Sequence, residues 1–309
     1  MNPVRLRDFI KDKNGWYYAV AAYDNTSRIG SVLRYIPDSS GDRIDNSGIR
    51  YRKVEFDEAY QLIEKLHPEW VDLVHRIPYD NIEEVLKPDE RIEAVAAQYP
   101  KAAKLVKTLR LPPCSFGVTG SLLCGLGGEN SDIDGVVYGD AFRHAQKQLN
   151  RSFREGYIEA LSEELWQTVY KKRNPETSYD EFILHEKRKF NRGQVDGTYF
   201  DLLYTRAYHD LPGFTMHKGT ILGKKTIEAI VVDDQFVFDS PAIYEIDHPD
   251  ISRVLSFTHT YTGQAFKSEQ IQAQGIIEQH GNEKWLIVGT TREAKGEFIR
   301  SLSLLEQEG

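Results

Sequence analysis

The 309-residue chain is predicted to be an α+β protein. Its centre reads as a mixed sheet with helices, its N-terminal domain as β-rich, and its C-terminal domain as a small β-barrel or sandwich. Three observations predict this. Aromatic and β-branched residues dominate the runs before residue 57. Apolar residues then recur at helical spacing as far as Val169. Beyond Pro212 and Gly213, short β-prone runs return with turn residues between them. The length suits two or three domains, with boundaries expected at 1–80, 81–210 and 211–309.

In chain order, residues 16–23 (WYYAVAAY) and 29–36 (IGSVLRYI) read as strands, with a turn from Asp24 to Ser27. Pro37, Asp38, Gly41 and Asp42 suit a long hairpin tip before residues 49–56 (IRYRKVEF), which alternate like a half-buried strand. Asp57 is a candidate N-cap for a helix striped by Ala59, Leu62, Ile63 and Leu66. Pro88 suits a first helical position before Ile92, Val95 and Ala96. Pro100 breaks the chain ahead of a short basic helix to Arg110, which Pro112 and Pro113 end.

From Cys114 the pattern becomes strand, Gly-rich turn, strand, then helices. Phe142, Ala145 and Leu149 form one stripe, and Ile158, Leu161, Leu165 and Val169 another. A basic, polar stretch covers 171–193, and residues 198–204 (TYFDLLY) read as a strand apolar except for Asp201 and the end threonine. Further strands are expected at 226–232, 236–238, 242–246, 270–277 and 284–288, with turns at Asp233–Asp234 and His280–Asn282. Thr290 and Glu293 have capping-box spacing for a last helix.

Composition narrows the function classes. The apolar fraction is 40% and the charged fraction 28%, as in soluble folded proteins. Net charge is -8 and the sequence pI about 5.7. A duplex-DNA binder is usually basic, because it covers phosphates with Lys and Arg; small nucleotides or a narrow RNA contact fit this chain better. No run of about 18 apolar residues suggests a membrane span, and the charged N-terminus lacks the apolar core of a secretory signal. Cys114 and Cys124 suggest neither a disulfide framework nor a zinc site. They read as two small buried thiols of a cytoplasmic protein.

The chemistry is concentrated in residues 116–138, FGVTGSLLCGLGGENSDIDGVVY. An apolar strand runs into Gly120 and Ser121, where the absence of a Cβ lets backbone N–H groups approach phosphate oxygens. The Ser121 hydroxyl adds a donor. Ser131, Asp132, Ile133 and Asp134 then enter a second apolar strand. Residues i and i+2 share a strand face, so Asp132 and Asp134 are expected side by side with Ile133 in the core. Adjacent carboxylates repel, and divalent cations relieve that repulsion. Mg²⁺ favours carboxylate oxygens and completes its shell with water and substrate phosphates. Paired ions activate a hydroxyl and stabilise a pyrophosphate leaving group.

This stretch resembles the signature of the DNA polymerase β-type nucleotidyltransferase superfamily: Gly-Ser, a spacer of about ten residues, then Asp-x-Asp at a strand. The resemblance implies a nucleotidyltransferase core over 81–210, with Gly120 and Ser121 holding the β- and γ-phosphates and Asp132 and Asp134 binding metal. Ser131 joins the nucleotide-binding set. Gly135 departs from the pattern, since an apolar residue commonly follows the second carboxylate. The superfamily also uses a third carboxylate, and Asp201 is the candidate as metal ligand and general base. The alternative is an edge-strand aspartate facing water. The whole layout is similar to archaeal proteins known as predicted nucleotidyltransferases.

Lys189 and Arg192, in the cluster KRKFNR (187–192), are candidates for contacting the triphosphate or an RNA backbone; Lys171, Lys172 and Arg173 read the same way. The alternative is a solvated loop or helix end. The hydroxyl-rich run 258–264, with His259, reads as a β-turn region bonded to its own backbone rather than as a ligand groove. The expected function is a Mg²⁺- or Mn²⁺-dependent transfer of NMP from an NTP such as ATP. Its hydroxyl acceptor would be an RNA 3′ end, a protein or a small molecule, with no membrane partner. A different class, a non-catalytic nucleotide- or RNA-binding sensor or docking module, is carried beside it.

Overall fold

In the computed structural model, which describes residues 3–128, 131–211, 218–290 and 294–308, the β-prone N-terminal runs pair into one sheet. Its strands are β1 (Phe9–Asp12), β2 (Tyr17–Val20), β3 (Arg28–Pro37), β4 (Arg43–Ile44), β5 (Arg50–Lys53), β6 (His75–Pro78) and β7 (Ile82–Leu86), in the order β4-β5-β3-β2-β1-β7. β6 pairs with the first part of β3, so that long strand serves two partners besides β2. Helix α1 (Phe56–Leu66) starts just before the expected Asp57, and Glu55 occupies its N-cap. Ala59 and Ile63 bury its stripe against Ile10, Leu33 and Trp70. Leu66, the last residue of that stripe, is exposed.

Next come α2 (Ile92–Gln98), α3 (Pro100–Leu109), β8 (Phe116–Val118), α4 (Gly120–Leu123), β9 (Ile133–Tyr138) and α5 (Ala141–Glu155). Pro100 takes the first position of α3, where a missing N–H costs nothing. Phe142, Ala145 and Leu149 are buried on α5, which packs against α3 and β9. After α6 (Glu163–Arg173) and α7 (Tyr179–Lys187), β10 (Arg192–Val195) and β11 (Thr198–Thr205) complete a four-stranded sheet in the order β10-β11-β9-β8. β9 and β11 are parallel; the other pairs are antiparallel.

The C-terminal strands are β12 (Thr220–Asp233), β13 (Ala242–Asp247), β14 (Arg253–Ser256), β15 (Gln270–His280), β16 (Glu283–Val288) and β17 (Phe298–Ser301), followed by α8 (Leu302–Glu308). Their pairings run β12-β13-β14-β16-β15, and β15 pairs back onto β12. The sheet therefore closes into a five-stranded ring, the barrel of the two expected alternatives, with β17 beside β15. β14 and β16 form its parallel pair.

Several expectations are corrected. Residues 236–238 lie in a turn, and β14 and β17 carry strand where none was read. The polar stretch 171–193 contains α7, whose Phe182 and His185 are buried. Ile158 and Leu161 are buried but precede α6, which instead buries Trp166. Cys114 is exposed; only Cys124 is buried. Glu293, the far end of the capping box, lies outside the described residues. Contacts cluster into two units, Met1–Ala160 with Asn191–Thr215 and Leu161–Phe190 with Met216–Gly309. These units and the boundaries at 80 and 210 divide the chain differently. No helix among the described residues is long and apolar enough to cross a membrane.

Candidate active site

β8 and β9 pair antiparallel, with Val118 opposite Gly135. One residue on, the Thr119 N–H donates to the Asp134 carbonyl at 2.9 Å. The chain then turns at Gly120, whose φ of +72° lies in the left-handed region that L side chains rarely adopt. A Cβ at Gly120 would stand 2.8 Å from Asp134 Oδ2. The backbone of the expected phosphate grip therefore lies directly against the second carboxylate, and only glycine allows that approach.

Beyond α4 the Gly-rich turn is closed by backbone bonds. The Leu126 N–H donates to the Ser121 carbonyl at 2.8 Å. The Gly128 N–H donates to Ser131 Oγ at 2.9 Å, and the Ser131 N–H returns a bond to the Gly128 carbonyl at 3.0 Å. Ser131 thus shapes the turn that leads to Asp132. Asp132 is exposed and Asp134 half-buried, while Ile133 between them is buried, as strand alternation requires.

The parallel pairing of β9 and β11 sets Asp134 opposite Asp201, across a strand spacing of about 4.8 Å. On the far side of β11, the antiparallel register sets Arg192 opposite Asp201. Arg192, Asp201 and Asp134 therefore form one row across β10, β11 and β9. Asp201 is buried, not a water-facing edge residue. Its Oδ2 accepts from Arg192 Nε at 3.0 Å, and its Oδ1 accepts from Asn191 Nδ2 at 3.3 Å. Burial opposes the charge of Arg192, yet Asp201 and Tyr199 together outweigh it and hold the guanidinium above its ordinary pKa.

Gly135, the departure from the superfamily pattern, has a packing cause. A Cβ there would lie 2.7 Å from Leu202 Cδ2 and 2.9 Å from Phe116 Cε2. The neighbouring strands supply the bulk that an apolar side chain would have brought.

Gly120, Ser121, Ser131, Asp132, Asp134, Arg192 and Asp201 all lie in the first unit. Lys189 lies in the second, buried, with its ammonium on the Glu186 carboxylate. Arg188 binds Glu269 at 2.8 Å in the same unit, and Lys171 and Lys172 are exposed on α6. The basic cluster thus divides into separate ion pairs. The run 258–264 bonds locally: Thr258 Oγ1 caps Thr260, Thr262 Oγ1 donates to the His259 carbonyl, and Gln264 Nε2 donates to the Thr260 carbonyl. Sequence reasoning missed Asn191, which stands beside Arg192, and Thr119, which stands beside Gly120.

The carboxylates expected to act here, Asp132, Asp134 and Asp201, offer hard oxygen atoms. Among the described residues no group of three or more His, Cys, Asp or Glu is placed so that it could hold a metal ion.

The chain is 36% identical to the uncharacterised protein MJ1086 of Methanocaldococcus jannaschii over 337 aligned positions, which cover 96% of this chain and 98% of the archaeal protein. No family profile matches the chain, and no solved structure does.

Proposed function

The chain belongs to the family of the Methanocaldococcus jannaschii protein, and we propose that it is a Mg²⁺-dependent nucleotidyltransferase moving NMP from an NTP to a hydroxyl acceptor. The observation that carries this reading is the meeting of Gly120, Asp134 and Asp201: a phosphate-grip glycine against one carboxylate, and a second carboxylate in register with the first. The resemblance of residues 116–138 to the polymerase β-type superfamily supports the same reaction class.

Asp132, Asp134 and Asp201 would hold Mg²⁺, which when bound supplies charge neutralisation at the phosphates and acidity to the attacking hydroxyl. The chain's own groups do the rest. Backbone N–H groups at Gly120 and Ser121, with the Ser121 hydroxyl, orient the β- and γ-phosphates. The acceptor oxygen attacks the α-phosphorus in line, the bond to pyrophosphate breaks, and Asp201 accepts the hydroxyl proton. Asn191 and Arg192 keep the Asp201 carboxylate in one orientation throughout. The acceptor belongs to one of three classes: an RNA 3′ end, a protein side chain or a small molecule.

The test is pyrophosphate release from each NTP with Mg²⁺ or Mn²⁺ and a panel of these acceptors. Release that Asp132→Asn abolishes is the expected result. Nucleotide binding without turnover under every condition would replace this reading with that of a non-catalytic nucleotide sensor on the same fold.

A further inference from the structure

Glycines at 125, 127 and 128 leave the turn after Ser121 with few side chains to set its shape. A chain of that composition samples many conformations, and fixing it on ligand binding costs entropy. Two contacts with the N-terminal sheet and its leading segment meet this problem. Ahead of Gly120, the Thr119 hydroxyl donates to the Arg7 carbonyl at 2.7 Å. Behind Ser121, the Leu126 peptide is held at both polar ends: its N–H donates to Ser121, and its carbonyl accepts from Arg43 Nη1 at 3.0 Å.

Arg43 comes from β4, at the rim of the N-terminal sheet, and its guanidinium lies 5.4 Å from the centre of the Tyr35 ring. Tyr35 packs with Tyr17 and Tyr51 against Leu123, Cys124 and Leu126 of the turn. Burial and then Cys124 push the Tyr35 hydroxyl up to about 12, while Arg43 and Arg34 draw it down and Asp134 adds to the rise. The N-terminal sheet, the turn and the second carboxylate therefore share one neighbourhood.

We propose that Arg43 is a positioning residue for nucleotide binding: it fixes the Leu126 carbonyl, and through the Leu126–Ser121 bond it presets the phosphate grip. The N-terminal sheet is then a wall of the transfer site. This inference rests on the nucleotidyltransferase reading. Arg43 acts through Leu126, so its loss weakens nucleotide affinity without removing any group that touches the phosphates.

The experiment titrates the full chain with mant-ATP and Mn²⁺ and follows backbone hydrogen exchange of residues 121–128. Arg43→Ala is expected to weaken binding about tenfold, the scale of one lost charge-assisted hydrogen bond. It should also raise exchange in the turn. Arg43→Lys, which keeps the charge without the planar fork, falls between. Arg50→Ala removes a different hairpin bond, from Arg50 Nη1 to the Gly41 carbonyl at 2.8 Å, and serves as the control with wild-type affinity. Wild-type affinity or unchanged turn exchange in Arg43→Ala overturns the proposal. If the unaltered protein binds no nucleotide, the transferase reading fails and this role fails with it, while the exchange data still report separately on the Arg43 hold.

Discussion

Asp201 is the register partner of Asp134 on parallel strands, and Arg192 extends the same row from the opposite edge of β11. Two carboxylates thus stand side by side with one guanidinium in the row. Like charges in adjacent positions raise the cost of ionising both, and the Arg192 guanidinium against Asp201 offsets part of it.

If this pairing serves transfer chemistry, Asp134→Asn and Asp201→Asn each lower pyrophosphate release by about a thousandfold or more, since each removes a charge that the proposed reaction uses. Asparagine keeps the shape of the side chain, and thermal unfolding of Asp134→Asn shows whether a loss of release reflects chemistry or a loss of fold. Activity within about tenfold of the parent in either variant would remove these residues from the mechanism.

Arg192 is buried, so its pairing with Asp201 carries structural weight beyond any role in catalysis. Arg192→Ala leaves a buried carboxylate without its guanidinium and is expected to destabilise the first unit by about 3–5 kcal/mol. The double variant Arg192→Met with Asp201→Leu removes both charges and should recover most of that loss. Urea unfolding of Arg192→Met, Asp201→Leu and the double variant measures the coupling. Additive losses would mean that the pair is energetically independent.

The local part of the candidate site was legible in sequence because its signals are local. Gly120, Asp132 and Asp134 follow from spacing along one hairpin, and the cost of a charge inside 198–204 pointed to Asp201. The strand over 198–204 followed from its run of β-prone side chains. What was hidden depends on distant residues. The Arg43 hold on Leu126 joins positions 83 residues apart, and nothing near Arg43 marks it. Lys189 and Arg192 looked alike as neighbours in a basic cluster, yet they belong to different units with different carboxylates. α7 was obscured by the charges of its last turn and by Phe182, Ile183 and Leu184 in direct succession, which blurs helical period. β14 has four residues, too few for alternation to register.

Gly120→Ala tests the approach of backbone to carboxylate. The new methyl meets Asp134 Oδ2 at 2.8 Å, and alanine must also adopt a φ of +72°. The cost is expected at about 1–3 kcal/mol from the backbone alone, with loss of detectable nucleotide binding as Asp134 is displaced. Thermal unfolding and mant-ATP titration read the two effects. A variant that unfolds and binds like the parent would show that the close approach has no consequence.

The last prediction concerns pH. Asp8 is fully buried; its Oδ2 accepts from Lys87 Nζ at 2.8 Å and from the Arg5 N–H at 3.0 Å. Burial outweighs both partners and raises the carboxyl from 3.8 to about 6. A raised carboxyl pKa means that the folded chain holds this proton more tightly than the unfolded chain does. Protonation therefore favours folding: the contribution is complete below about pH 3.8 and is lost as pH rises through about 6. A shift of that size corresponds to about 3 kcal/mol. Other carboxylates titrate over the same range, so the informative quantity is the stability difference between the parent and Asp8→Asn. Asparagine cannot ionise. Between pH 4 and pH 7 the parent should lose stability relative to Asp8→Asn by a few kcal/mol, measured by urea unfolding at each pH. A difference that stays constant over that interval would place the Asp8 carboxyl at an ordinary pKa and return the Lys87 contact to the status of a simple buried ion pair.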